Sequence, residues 1–188
     1  MRIGLLGGTF DPIHIAHLVA ASEVCQTLNL DQVVFIPAGN PWQKAGTQIS
    51  PGQTRLQLVD LAIAGDGRFS SSDIELTRNG QTYAIDTVRQ LLSDNPENKY
   101  FWIVGADALV GMPTWHDFSE LKQLIEIVAV NRTGINQAKV DFDYTFVQIP
   151  EIDISATEIR ARVKAGKEIK YLVPAEVERL IKDSGLYK

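Results

Sequence analysis

The chain has 188 residues, of which 45% are hydrophobic and 22% charged, and a net charge of −5. That is the balance of an ordinary globular protein. Its acidic sign argues against a large nucleic-acid footprint, which needs a basic face, but not against a mononucleotide, which needs a few local cations. No apolar run reaches membrane-spanning length and the first residues carry no signal-peptide pattern, so a cytoplasmic protein is expected.

The length gives one domain over 1–188, with a helical part from about 155 to 188. Cys25 is the only cysteine, so no intramolecular disulfide can form. It reads as a core thiol on the first helix.

Ile3 to Leu6 reads as a first strand and Ile15 to Leu28 as a helix with its apolar stripe at 15, 18, 19, 25 and 28. Val33 to Ile36 is a short buried strand ahead of Pro37, and a polar loop fills 38 to 50. Gln53 to Ile63 is helical, Phe69 to Leu76 extended, and Tyr83 to Leu92 helical. Tyr100 to Val104 is a strand, Phe118 to Leu124 a helix, Ile127 to Val130 a strand, and Thr145 to Ile149 the last strand. Thr133 to Asp143 reads as a surface loop. Strands alternating with helices predict an α/β protein with a doubly wound parallel sheet. Ligands bind such sheets beyond the carboxyl ends of the strands. Residues 7–17, 38–44 and 105–107 fall there.

The segment Gly7-Gly8-Thr9-Phe10-Asp11-Pro12-Ile13-His14-Ile15-Ala16-His17 joins a strand end, a double glycine and a helix start. Glycines let the backbone approach a ligand closely, and a helix N-terminus offers unpaired N–H groups to a phosphate. His14 and His17, at i and i+3, share one face of the first turn. The segment is neither a dinucleotide fingerprint, since residues 4–9 read Gly-Leu-Leu-Gly-Gly-Thr, nor a P-loop, since no Gly-Lys-Ser/Thr triplet occurs. With no further cysteine or histidine pair to complete it, the histidine pair is a poor zinc site. No protein metal ligand is expected.

A second motif is Ile154-Ser155-Ala156-Thr157-Glu158-Ile159-Arg160. Ser155 with Glu158 is a capping-box pattern that starts a helix, and Gly166 is its expected stop. Thr157 and Arg160 then lie near that helix's N-terminus, where a hydroxyl and a guanidinium can meet an anion.

The His-x-x-His pair resembles the signature of the nucleotidyltransferase superfamily, with Ala16 where glycine is usual. Together with Ile-Ser-x-Thr-x-Ile-Arg, it resembles nicotinate mononucleotide adenylyltransferase almost end to end. Glu75 to Tyr83 with Asp86-Thr87, Val104 to Leu109, Pro113-Thr114-Trp115 and Tyr171 to Pro174 are similar to that family's segments. Pro41-Trp42-Gln43-Lys44 resembles the actinobacterial branch, in which the more usual loop histidine is replaced by Gln43, so no histidine role transfers there.

The resemblance implies a Rossmann-like nucleotidyltransferase fold and the joining of ATP to nicotinate mononucleotide with release of pyrophosphate. It implies catalytic roles for His14, His17, Lys44 and Arg160. ATP would meet Gly7, Gly8, Thr9, Phe10, His14, His17, Gly105, Asp107, Ser155, Thr157 and Arg160. The mononucleotide would meet Asn40, Lys44, Thr82, Tyr83 and Trp115, with Trp115 stacked on the pyridine ring. Mg²⁺ would be held mainly by substrate phosphates. The expected partners are these small molecules, not nucleic acid or membrane, and an oligomer is compatible. Trp102, inside a strand pattern, reads as core. A phosphopantetheine- or CTP-using nucleotidyltransferase, or a nucleotide-binding regulator without turnover, is the alternative.

Overall fold

The computed structural model describes residues 1–40, 49–131 and 139–188. Six parallel strands form one sheet: β1 (Arg2–Gly8), β2 (Gln32–Pro37), β3 (Phe69–Ser71), β4 (Lys99–Gly105), β5 (Glu126–Val130) and β6 (Thr145–Val147), in the order β3-β2-β1-β4-β5-β6. The chain winds outward from β1 to one edge, then crosses back and winds to the other. The order therefore reverses between β1 and β4, where a crevice opens at the carboxyl ends of the two strands. Gly7 and Gly8 end β1 and Gly105 ends β4.

The helices are α1 (Ile15–Thr27), α2 (Gly52–Ile63), α3 (Ala84–Asp94), α4 (Ala106–Leu109), α5 (Phe118–Leu124), α6 (Ala156–Lys164) and α7 (Ala175–Ser184). They cover both faces. Side chains of one strand alternate between two cores, as a two-residue period requires. From β4, Tyr100, Trp102 and Val104 join one core, while Phe101 and Ile103 join the other. The core holding Phe101 also takes α1, α2, α6 and α7; the other takes α3 and α5. No helix among the described residues is long and apolar enough to cross a membrane.

Three expectations need correction. The buried face of α1 is Ala20, Ala21, Val24 and Cys25. Ile15, Leu18, Val19 and Leu28 are only half-buried. Small residues let the helix lie close on the sheet, and a helix that is apolar nearly all round does not reveal its inner face by periodicity. The extended stretch from Phe69 stops at Ser71 instead of reaching Leu76. There Leu76 N and Thr77 N both donate to the Asp73 carbonyl, at 2.8 and 3.1 Å, and turn the chain back. The last strand likewise ends at Val147, two residues early. The loop expected at 133–143 is described only from 139, where it has neither helix nor strand.

That turn brings the Glu75 backbone against Gly39. A Cβ on Gly39 would lie 2.2 Å from the Glu75 carbonyl oxygen and 2.8 Å from Thr82 Cγ2. The first neighbour is backbone and cannot swing away. Gly39→Ala is therefore expected to destabilise the protein by about 1–3 kcal/mol through overpacking. A denaturant midpoint unchanged from the parent would contradict this.

Candidate active site

The crevice between β1 and β4 is a cleft of about 500 Å³, within the range of small-molecule sites. Gly7, Gly8, Thr9, Phe10, His14, His17, Thr82, Tyr83, Gly105, Asp107, Trp115, Ser155, Thr157 and Arg160 all line it. Asn40 lies outside that wall, on an adjoining hollow of about 370 Å³, and its N–H donates to Thr82 Oγ1 at 3.3 Å. Lys44, with Pro41, Trp42 and Gln43, lies outside the described residues.

The glycine loop is shaped by close packing. A Cβ on Gly7 would sit 3.1 Å from the Trp102 ring, and one on Gly8 2.9 Å from the Phe10 ring. Trp102 is core, as expected, yet it also forms part of the cleft wall. Phe10 has φ 48°, a left-handed backbone that turns the chain off β1 while its ring is buried. Such a conformation costs a non-glycine residue energy and persists where packing holds it.

His14 caps α1 with extended backbone, and His17 sits three residues on. The His14 N–H donates to His17 Nδ1 at 3.2 Å. The two rings stack with centroids 3.7 Å apart, and Phe10 meets His17 edge-on at 5.1 Å. Because Nδ1 accepts, the neutral His17 ring carries its proton on Nε2.

The second motif folds onto the first. Ser155 Oγ accepts the Glu158 N–H at 3.1 Å, capping α6 as expected, and Gly166 ends that helix at φ 66°. The capping sets Arg160 one turn in. From there its guanidinium donates to the Asp11 carbonyl at 2.6 Å and to Thr157 Oγ1 at 3.3 Å. A span of 149 residues is thus closed at the cleft wall.

The opposite wall is made by the start of α3 and by the residues after α4. Tyr83 caps α3, and its ring lies 4.4 Å from that of His116. Trp115 meets Trp102 edge-on at 6.3 Å. Asp107 stands at the second position of α4, whose cap is Gly105, so it is not the cap of that helix. Among the described residues no group of three or more His, Cys, Asp or Glu is placed to hold a metal ion.

Several supports had no signal in the sequence. Arg55 is 2% exposed, and its guanidinium donates to three carbonyls: Thr9 at 2.7 Å, Ala38 at 2.7 Å and Ser50 at 3.0 Å. It ties the loop after β1 to both ends of the loop after β2. Asn131, buried at the end of β5, exchanges two hydrogen bonds with Ile149, at 3.0 and 2.6 Å, and fixes the wall leading to Ser155. Asp11 is a further support, and it lies inside the first motif. Both its oxygens are engaged, Oδ2 by the Ser50 N–H at 3.1 Å and Oδ1 by the Tyr187 hydroxyl at 2.7 Å.

The chain matches the cytidylyltransferase-like family model over residues 5–162. It is 43% identical to a probable nicotinate-nucleotide adenylyltransferase of Corynebacterium kroppenstedtii, across 99% of this chain and 90% of that protein. It is 42% identical to one of Shouchella clausii, across 99% and 96%. The structure of Plasmodium falciparum nicotinic acid mononucleotide adenylyltransferase complexed with NaAD superposes with a TM-score of 0.82, at 18% identity, over 99% of this chain and 97% of that one. That likeness carries the fold, and the sequence relatives carry the family. The chain belongs to the cytidylyltransferase-like nucleotidyltransferases, among the nicotinate-nucleotide adenylyltransferases.

Proposed function

We propose that this chain transfers the adenylyl group of ATP to nicotinate mononucleotide, giving nicotinate adenine dinucleotide and pyrophosphate. One observation carries the reading furthest: Arg160 reaches the Asp11 carbonyl, so both phosphate motifs border one cleft. The sequence relatives are named for the same reaction.

In this reaction a phosphate oxygen of the mononucleotide attacks the α-phosphorus of ATP in line. The bond from that phosphorus to the α,β-bridging oxygen breaks, and pyrophosphate leaves with the electron pair. The attacking oxygen is already anionic, so no general base is needed and no covalent enzyme intermediate forms. Catalysis then consists of positioning and of stabilising charge where it develops.

His17, through Nε2–H, and His14 act on the ATP phosphates at the N-terminus of α1. Ser155, Thr157 and Arg160 hold the β- and γ-phosphates and guide the leaving pyrophosphate. Gly7, Gly8, Thr9 and Phe10 form the floor beneath ATP, and Gly105 with Asp107 meets the adenosine. Lys44 neutralises phosphate charge, and Asn40 meets the mononucleotide. Mg²⁺ would enter with ATP, held mainly by the phosphates, and would offset their charge. Ser155, Thr157, Arg160 and His17 offer N–H and O–H groups to phosphate along the wall, which fits a metal held by the phosphates. We further take the enzyme to work in the cytoplasm on these small molecules, with a homo-oligomer compatible.

Trp115 stacks on the pyridine ring. Thr82 and Tyr83 present the N-terminus of α3 to the nicotinate carboxylate. The eleven-residue helix puts a partial positive charge there. Asp86 in its first turn is turned onto Arg89 at 3.3 Å, which offsets its opposing charge. An acid is therefore preferred over the neutral amide.

The test supplies Mg-ATP with nicotinate mononucleotide, nicotinamide mononucleotide or phosphopantetheine, and compares kcat/KM. The nicotinate substrate is expected to exceed the amide by tenfold or more. Equal turnover of acid and amide would remove the α3 argument and keep the reaction class. Turnover of phosphopantetheine alone, or ATP binding without turnover, would overturn the proposal.

A further inference from the structure

Tyr187 lies beyond α7, far along the chain from the glycine loop, yet its hydroxyl meets Asp11, which lines the cleft three residues before His14. Getting there takes two left-handed turns, at Gly185 (φ 65°) and at Tyr187 itself (φ 66°). The ring packs with Leu186 against the core that holds α1, α2 and α7. The contact closes a span of 176 residues at 2.7 Å.

Asp11 is a junction. Its Oδ1 takes the Tyr187 hydroxyl, its Oδ2 takes the Ser50 N–H, and its backbone carbonyl takes Arg160. Asp11 is 4% exposed, so loss of one donor leaves an acceptor short inside the protein rather than in water. Burial first, and then the Asp11 carboxylate, hold the Tyr187 hydroxyl far above its ordinary pKa. It is therefore a donor at every working pH.

We propose that Tyr187 is a positioning residue for the nucleotide site: by orienting Asp11 it sets both the loop that carries His14 and the carbonyl on which Arg160 rests. It touches no substrate. The proposal builds on the adenylyl-transfer reading, but its main consequence is for ATP binding, which can be measured without an acceptor.

Tyr187→Phe keeps the ring and removes only the donor. The direct measurement is the Kd for a non-hydrolysable ATP analogue, by calorimetry on the full chain. It is expected to rise about fivefold to tenfold, less than the full value of a hydrogen bond to a charged group, because the effect reaches ATP only through Asp11. In steady state the KM for ATP should rise to a similar extent, while the KM for nicotinate mononucleotide stays within twofold. Asp11→Asn should act likewise, and the double variant should be no worse than Asp11→Asn alone.

A Tyr187→Phe protein that is less heat-stable but has unchanged Kd and KM for ATP would overturn the proposal, leaving the tail a structural strut. Equal rises in both KM values, or effects that add in the double variant, would overturn it as well. If nicotinate mononucleotide proves not to be the acceptor, the Kd comparison still decides the role of Tyr187.

Discussion

His17→Ala is expected to lower kcat about a hundredfold to a thousandfold, roughly 3–4 kcal/mol of transition-state stabilisation, the usual loss for one pre-set donor. The ring is fixed on three sides: by the His14 N–H at Nδ1, by the stacked His14 ring and by the Phe10 edge. That leaves little reorganisation for the reaction to wait for. In the proposed role the Nε2 proton is a donor whose value rises as charge builds on the phosphates, so the loss should fall on kcat more than on KM. The fold should survive, because the residue is half-buried in the first turn of α1 and alanine suits a helix. Losing the Nδ1 acceptor for the His14 N–H should cost about 0.5–2 kcal/mol, as other lost caps do. His17→Asn offers an acceptor near Nδ1 but nothing near Nε2, so it should recover stability and not rate. Steady-state kinetics on both variants, with circular dichroism to confirm folding, checks this. A kcat within a few-fold of the parent would remove His17 from the transition state.

Arg55→Ala is expected to produce the largest loss of stability, about 3–5 kcal/mol. Its guanidinium satisfies three carbonyls on three separate stretches of chain, in a place that water does not reach. Desolvation pulls its pKa down from the ordinary value, and Asp11, Tyr187 and Glu75 oppose the shift. A guanidinium nevertheless stays protonated in a protein. Removing it leaves three acceptors without their donor and a void the size of a long side chain. Arg55→Lys keeps the charge but not the fork, so it should recover only part of the loss. Because Thr9 and Ala38 both border the cleft, ATP affinity should fall more than tenfold in the alanine variant that remains folded. Urea unfolding and calorimetry measure the two effects. A stability change below about 1 kcal/mol would show that the loops hold themselves.

The sequence spoke clearly about the strands, because β1, β2, β4 and β5 are covered on both faces and read as continuous apolar runs. It spoke as clearly about Ser155, whose cap is a local bond to Glu158. It was mute where the cause is not local. Arg55 on a helical wheel looks like a solvated surface charge, and its three partners lie 5, 17 and 46 residues away. Tyr187 and Asp11 are farther apart still. Of the stripe expected on α1 only Cys25 is buried, because Ala20, Ala21 and Val24 share the inner face in place of the larger Ile15, Leu18 and Val19. The third strand reads too long because Ile74 and Leu76 alternate as in a strand; Ser72 and Asp73 are turn residues, and the Asp73 carbonyl accepts two N–H groups there.

The proposed reaction is a direct transfer between two nucleotides bound in one cleft. A single turnover of protein in excess over ATP labelled at the α-phosphorus, with nicotinate mononucleotide and Mg²⁺ present, tests it most directly. With direct transfer the label passes wholly into nicotinate adenine dinucleotide, with one unlabelled pyrophosphate for each dinucleotide and no label on the protein at any time. Label retained on the protein, or released as free AMP without dinucleotide, would contradict it.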